Sequence, residues 1–265
     1  MNLIDIHAHL QFSQFAEDRS EVIARAKEAG IGVINVGTDL ATSRQAVALA
    51  EQHEKMWATI GIHPTDLPEP DQTENTFAEL EKLACHKRVV GIGECGLEIR
   101  SGKFDIGSEN GKRQIEIFER QIELAESVKK PLMIHCRNAY AELLSVLTAG
   151  NNPPPANLHF FAGDWPTAKK FLDRGCTLSF TGVITFPPKA GQPGADTIEI
   201  IKKMPLAQML VETDCPFVAP VPYRGRRNES AYVIEVIKRI AELRGLTIAA
   251  VAGATLANAR RLFAL

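Results

Sequence analysis

The chain has 265 residues, of which 45% are hydrophobic, so it is long enough to build one large core. Its 30 basic and 32 acidic residues leave a net charge of -2, and composition alone therefore gives no support for a broad nucleic-acid-binding surface. No apolar run approaches the length of a membrane span, and the N-terminus lacks the basic and apolar regions of a signal peptide. Five cysteines without a CxxC pair fit free thiols in a reducing compartment, so we expect a cytoplasmic protein with no membrane partner.

Strand-like and helix-like segments alternate from one end of the chain to the other. The strand-like segments are short runs rich in Val, Ile and Leu, as in strands buried on both faces. They cover residues 3–10, 32–38, 57–64, 89–97, 131–137, 156–161, 177–186 and 208–215. The segments in which apolar residues recur with helical spacing cover residues 18–29, 40–53, 77–85, 112–128, 139–147, 166–173, 195–203, 230–244 and 248–263.

This order predicts eight strand–helix units in a single domain that spans residues 1–265, with an extra helix at the C-terminus. About 30 residues per unit is the spacing of a (β/α)8 TIM barrel. An open doubly wound sheet is the structural alternative. A glycine-rich nucleotide-binding turn after the first strand would favour that alternative, and this turn contains no glycine.

Histidines and carboxylates recur at the ends of the predicted strands. Residues two apart on a strand point to the same face, so His7 and His9 project together. In barrel enzymes the chemistry takes place at the carboxyl ends of the strands. Five of the seven histidines lie at predicted strand ends, together with one glutamate and one aspartate: His7, His9, His63, Glu94, His135, His159 and Asp214.

This donor set suits a hydrolase with two divalent cations, which lower the pKa of a water molecule and hold the attacking and leaving oxygens. Nitrogen-rich ligation favours zinc or manganese over calcium, and the carboxylates keep magnesium among the candidates. The predicted ligands are His7, His9 and Asp214 for one cation, His135 and His159 for the second, and Glu94 as the bridge.

Structural interpretations compete with this one residue by residue. For any single histidine at a strand end, a structural role is the simpler interpretation. Glu94 and Asp214 are different, because a carboxylate in an apolar run needs a cation or hydrogen-bond donors. Cys95, Cys136 and Cys215 each follow a proposed ligand, but strand alternation turns them to the opposite face. We therefore expect these cysteines to pack as small hydrophobic residues.

Basic side chains cluster near the predicted metal ligands. The candidates for substrate binding are Arg137, Arg224, Arg226, Arg227 and Asn228. The guanidinium fork of arginine matches the oxygens of a phosphate group. A solvated loop is an equally good interpretation of any one of these arginines, and the cluster as a whole indicates a phosphate-bearing substrate.

With these motifs in place, the sequence resembles the TatD-related metal-dependent DNase family of amidohydrolase-like barrels. The matching segments span nearly the whole chain and cover residues 4–10, 61–64, 91–97, 134–137, 211–216 and 222–229. The resemblance implies a (β/α)8 barrel that hydrolyses phosphodiesters, typically by trimming single-stranded DNA in the 3′→5′ direction. It also implies the six metal ligands named above, with His63 near the scissile phosphate.

Departures from the family pattern bear on substrate preference, among them Ser230 where the family usually has proline. Glu98 stands where the family usually has aspartate, Phe160 where it usually has cysteine, and Asn138 where it usually has aspartate. None of them removes a proposed ligand.

The sequence thus predicts a metal-dependent deoxyribonuclease that acts on DNA ends, with Asp214, Glu94 and His63 as its catalytic residues. Asp214 is the expected general base, and His63 holds the phosphate together with the arginines. Two alternatives stay open. The same metals would also suit hydrolysis of an amide, a lactone or an aminoacyl ester, and an inactive barrel would serve as a partner in a larger complex.

Overall fold

The structure is a computed structural model that describes residues 2–99, 106–150, 153–187 and 194–265. Within these residues the strands are β1 Leu3–Ala8, β2 Ile31–Val36, β3 Met56–Ile60, β4 Val89–Glu98, β5 Leu132–Arg137, β6 Ala156–Leu158, β7 Thr177–Phe180 and β8 Met209–Val211. The α-helices are α1 Arg19–Glu28, α2 Leu40–Glu51, α3 Thr73–Ala84, α4 Glu109–Val128, α5 Tyr140–Ala149, α6 Trp165–Leu172, α7 Gly194–Lys203, α8 Val233–Arg244 and α9 Ile248–Phe263.

Every predicted strand and helix is present, and the differences lie at the ends. The predicted strand at residues 177–186 ends at Phe180, because Gly182–Thr185 form a 3-10 turn that the Thr181 side chain caps. The predicted helix at residues 112–128 begins earlier, at Glu109, because the Ser108 side chain accepts a hydrogen bond from the Gly111 amide. Apolar spacing located the buried part of each element, whereas capping groups set its ends.

The described chain divides into two compact units, which we call the central unit (residues 36–158) and the terminal unit (residues 1–35 and 159–265). The prediction of a single domain stays a prediction. In the central unit β3, β4, β5 and β6 pair in sequence order, all parallel. Helices α3, α4 and α5 connect successive strands of this set, as parallel pairing requires, and α2 precedes β3.

In the terminal unit β1 pairs with β2 and β7 pairs with β8, again in parallel. A parallel bridge between Ala8 and Cys215 joins β1 to the segment after β8. The C-terminal helix α9 packs against β1, β8 and α8. The Asn258 side chain of α9 donates to the carbonyl of Met209 at 2.8 Å, so the extra helix is attached directly to β8.

Among the described residues, no single helix is long and apolar enough to cross a membrane. Residues 230–244 and 248–263 pass that test only as a pair, and the two helices meet at an angle of 115°.

Candidate metal centre

In the terminal unit, His7, His9 and Asp214 converge on one point. The Nε2 atoms of His7 and His9 lie 3.2 Å apart, and Asp214 Oδ1 lies 3.4 Å from His9 Nε2 and 3.8 Å from His7 Nε2. All three residues are buried. Two atoms that bind the same zinc-sized cation lie about 3.0 to 3.5 Å apart when their bonds to it meet at a right angle or a tetrahedral angle. Two of the three separations lie in this range and the third, at 3.8 Å, is slightly longer, so the donors suit one divalent cation in spacing and chemistry.

Backbone hydrogen bonds between β1 and the segment after β8 hold these side chains together. The Asp214 amide donates to the His7 carbonyl and the His9 amide donates to the Cys215 carbonyl, both at 2.8 Å. Asp214 itself has a φ of 56°, in the left-handed region that non-glycine residues rarely adopt. A strained backbone at this position is a feature that clusters at functional sites.

Asp5 supports the Asp214 segment from within the core. Its carboxylate accepts hydrogen bonds from the Thr213 amide at 2.8 Å and from the Thr213 hydroxyl at 2.6 Å. Burial raises the pKa of Asp5 to about 7, against the lowering effect of these hydrogen bonds. Sequence reasoning did not single out Asp5, although an aspartate two residues before a ligand histidine in an apolar strand was a visible signal.

His159 lies immediately after β6 and stacks on the His7 ring, with the centroids 4.0 Å apart. Its Nδ1 is 3.7 Å from Glu212 Oε1. Glu212 is fully buried and accepts hydrogen bonds from the Phe160 amide at 2.6 Å and from the Ser179 hydroxyl at 2.7 Å. Glu212, which sequence reasoning missed, therefore holds the residue that follows His159 and links it to Ser179 on β7.

Asn228, whose contact with substrate stays a prediction, has a structural role in the fold. Asn228 is completely buried, and its Nδ2 donates to the carbonyls of Thr213 at 2.8 Å and Phe217 at 2.7 Å. Its Oδ1 accepts from the Glu229 amide at 2.9 Å. The Asn228 side chain therefore joins the backbone before Asp214 to the backbone after it, and both its nitrogen and its oxygen bond to main-chain groups.

We expect Asn228→Ala to lower the free energy of unfolding by about 2 to 4 kcal/mol, because two buried carbonyls lose their donor. For a chain of this size, that loss corresponds to a fall in Tm of roughly 5 to 10 °C. Thermal unfolding followed by circular dichroism measures it, with the exposed Arg226→Ala as the control that keeps its Tm. A direct substrate contact would predict the opposite pattern, a raised KM with an unchanged Tm.

The arginines after β8 divide into two groups. Arg227 forms a two-point ion pair with Asp18, at 2.8 and 2.5 Å, and donates to the Gln14 carbonyl. It therefore attaches its segment to the residues before α1, and its predicted contact with substrate stays a prediction. Arg224 lies over the Phe186 ring at 4.3 Å, and both Arg224 and Arg226 are exposed.

In the central unit, His135 lies between two carboxylates. Its Nδ1 is 2.9 Å from Glu94 Oε1 and its Nε2 is 3.1 Å from Glu98 Oε2. His63 approaches the same group, with Nε2 at 3.5 Å from Glu94 Oε1 and its ring 4.3 Å from the His135 ring. The donor atoms of His63, Glu98 and His135 all lie within 4.8 Å of one another, so they form a second candidate cation site.

The glycines of β4 create this arrangement. The pairing of β4 with β5 shifts register between Ile92 and Cys95, so Gly96 stands opposite His135. Alternation then places Glu94 and Glu98 on either side of Gly96 on one face. Gly96 has a φ of 135°, and a Cβ there would lie under 3.0 Å from the His135 carbonyl oxygen. Only glycine lets β5 approach closely enough for His135 to meet both carboxylates.

Thr65 sets the orientation and the tautomer of His63. The Thr65 amide donates to His63 Nδ1 at 3.2 Å, and the Thr65 hydroxyl lies 2.7 Å from the same atom. Because Nδ1 accepts, the proton of the neutral ring is on Nε2, the nitrogen that faces Glu94. Arg137, on the same strand as His135, is exposed, and its Nη1 lies 3.8 Å from Glu98 Oε1.

The cysteines next to the proposed ligands are buried as expected. Burial raises the pKa of the Cys95 and Cys136 thiols well above the usual range and raises that of Cys215 to about 12. A neutral buried thiol is a packing group and a poor metal ligand. These three residues take no part in either donor set.

Comparison with known proteins identifies the family. The family model described as TatD related DNase matches residues 4–264. The chain is 38% identical to an uncharacterized metal-dependent hydrolase, YabD, of Bacillus subtilis, with 98% of each protein covered. It is 35% identical to the 3'-5' ssDNA/RNA exonuclease TatD of Citrobacter rodentium, covering 98% of this chain and 97% of that one. Among solved structures, the TatD homolog YjjV from Escherichia coli has a TM-score of 0.87 at 27% identity, covering 99% of this chain and 98% of that one.

The fold and these comparisons define a metal-dependent hydrolase that acts on ester bonds. They confirm the predicted fold class, a (β/α)8 barrel with an extra C-terminal helix. The chain belongs to the TatD-related DNase family.

Proposed function

We propose that the protein removes nucleotides from the 3′ ends of single-stranded DNA by metal-dependent hydrolysis of phosphodiesters. The observation that carries this proposal is the convergence of His7, His9 and Asp214 on one cation-sized position. The exonuclease activity for which the Citrobacter relative is named supports the choice of substrate.

The two donor groups would each bind a divalent cation: magnesium, manganese or zinc. His7, His9 and Asp214 are the proposed ligands in the terminal unit, and His135 is the proposed ligand in the central unit with Glu94 and Glu98 beside it. When bound, such cations lower the pKa of water and neutralise charge on a phosphate. The roles of Glu94 as a bridge and of His159 as a ligand of the second cation stay predictions.

Asp214 is the proposed general base. Its Oδ1 faces the two histidines, so the second carboxylate oxygen is the atom that would take a proton from the attacking water. The hydrogen bonds around Asp5, Thr213 and Asn228 hold the backbone on both sides of Asp214. The proposed base therefore projects from a backbone that is fixed before substrate binds.

His63 is the proposed donor to the phosphate. Its Nε2 carries the proton, because Nδ1 accepts from the Thr65 amide. A donor held in place before the reaction stabilises negative charge that develops on a phosphate oxygen. Arg137, Arg224 and Arg226 are the proposed contacts to further phosphates, since their side chains are exposed. With a net charge of -2, short contacts with a strand end suit the protein better than a long duplex footprint.

An assay on end-labelled oligonucleotides tests the proposal. With magnesium or manganese, 5′-labelled single strands should give a ladder that shortens with time, and 3′-labelled strands should release the label first as a mononucleotide. Chelation with EDTA should stop both. Turnover of a lactone, amide or aminoacyl ester without nucleotide release would instead favour an amidohydrolase-type activity. Absence of bound cation together with absence of any hydrolysis would indicate an inactive barrel.

A further inference from the structure

Large exposed hydrophobic side chains are few among the described residues, and two of them follow Asp214 closely. Phe217 is 46% exposed and Val221 is 43% exposed, whereas the other two, Leu246 and Ile248, lie before and at the start of α9. Phe217 is thus a half-exposed phenyl ring three residues from a candidate metal ligand.

The backbone of Phe217 is held at both of its polar groups. Its amide donates to the Asp214 carbonyl at 2.9 Å, and its carbonyl accepts from the buried Asn228 side chain at 2.7 Å. The next residue, Val218, has a φ of 45°, which is an outlier for a β-branched residue. A rigid and strained segment therefore presents the ring to solvent, as expected of a pre-organised binding surface.

The remainder of the segment is equally fixed. A Cβ at Gly182 would lie under 3.0 Å from the Val218 carbonyl oxygen and from the backbone of Pro220, so glycine is needed for this close approach. The Val221 amide donates to the Thr185 hydroxyl at 2.8 Å. The segment that carries Phe217 is thus attached to the turn after β7 as well as to Asn228.

The Phe217 ring is also next to the candidate metal site. Its centroid lies 6.3 Å from that of His9 at an interplanar angle of 66°, and His9 stacks in turn on Phe12 at 4.5 Å. The exposed cations Arg224 and Arg226 follow on the same segment. An aromatic face beside a phosphate-hydrolysing centre, with arginines nearby, has the composition of a single-strand binding surface.

We propose that Phe217 is a stacking platform for a base at the 3′ end of the single strand whose phosphate lies at Asp214. This inference rests on the proposed function and adds the subsite that recognises the nucleobase. Every base has an aromatic face, so the platform favours unpaired ends without selecting a sequence. In a duplex the terminal base is stacked and paired, and the platform would discriminate against that end.

The test compares oligonucleotides that carry either a base or an abasic residue at the 3′ end. The unmodified protein should cleave the base-containing end about 5- to 150-fold more efficiently in kcat/KM. In Phe217→Ala this ratio should fall towards one, and in Phe217→Trp it should be kept or increased. Leu246→Ala removes an exposed hydrophobic residue elsewhere and should keep the ratio of the unmodified protein.

A binding measurement separates this inference from the proposed function. Strands with 2-aminopurine at the 3′ end and phosphorothioate linkages that resist cleavage should lose fluorescence on binding to the unmodified protein and lose less with Phe217→Ala. Nucleotide release with an unchanged base-to-abasic ratio in Phe217→Ala would overturn the platform and leave the function standing. Quenching that depends on Phe217 without any nucleotide release would support the platform and overturn the function. Absence of both would overturn both.

Discussion

Asp214→Asn is expected to lower kcat for nucleotide release by about 10²- to 10⁴-fold, the contribution of a general base. Asparagine keeps the size of the side chain and its ability to accept a hydrogen bond, but it loses the negative charge and the proton acceptor. The donor triangle with His7 and His9 also loses its only charged member. A lower affinity for the divalent cation should therefore accompany the loss of rate.

Single-turnover rates at saturating manganese separate the two effects, since excess cation restores occupancy but cannot restore the base. Asp173→Asn is the matched control in the same unit, because Asp173 forms only a surface ion pair with Lys169. We expect that variant to keep its rate. Unchanged turnover in Asp214→Asn would remove Asp214 from the mechanism.

Gly96→Ala is expected to destabilise the protein by roughly 2 to 5 kcal/mol, because the left-handed φ and the contact with the His135 carbonyl both oppose a Cβ. Relief of that contact requires β5 to move away from β4, which carries His135 away from Glu94 and Glu98. Activity should therefore fall by more than the fraction of unfolded protein accounts for, because the folded molecules also turn over more slowly. Urea unfolding and turnover of the folded fraction measure the two quantities.

Gly253→Ala is the control for Gly96→Ala, because the same substitution should here stabilise the protein. Gly253 lies on α9, and an alanine Cβ there would have no atom from outside its own helical turn within 4 Å, so alanine should raise the free energy of unfolding by about 1 kcal/mol. Activity should not change. Equal stability of Gly96→Ala and Gly253→Ala would show that Gly96 has room for a Cβ beside the His135 carbonyl.

The sequence predicts the strands and the main donors well for physical reasons. Buried parallel strands read as continuous apolar runs, and any polar residue that interrupts one stands out. His7, His9 and Asp214 were visible in this way, and the structure brings them together. Glu98 is recognisable too, since alternation from Glu94 places it on the same face, although the family resemblance marks it only as a departure.

Other features depend on partners far away along the chain. The ion pair between Arg227 and Asp18 joins residues 209 positions apart, and the Asn228 clamp depends on the exact turn after β8. Neither interaction has a periodic signal in the sequence. Arg227 and Asn228 lie in the arginine-rich segment at residues 222–229, and the composition of that segment predicts substrate binding. Buried polar residues such as Glu212 and Asp5 are recognised by their hydrogen-bond partners, which only the fold supplies.

Anomalous diffraction at the manganese edge, from crystals of the protein grown with manganese, tests the central claim most directly. We expect one peak within coordination distance of His7, His9 and Asp214 and another beside His135 with Glu94 and Glu98. A fully ordered structure without a peak at the first position, at manganese concentrations that support hydrolysis, would contradict the account.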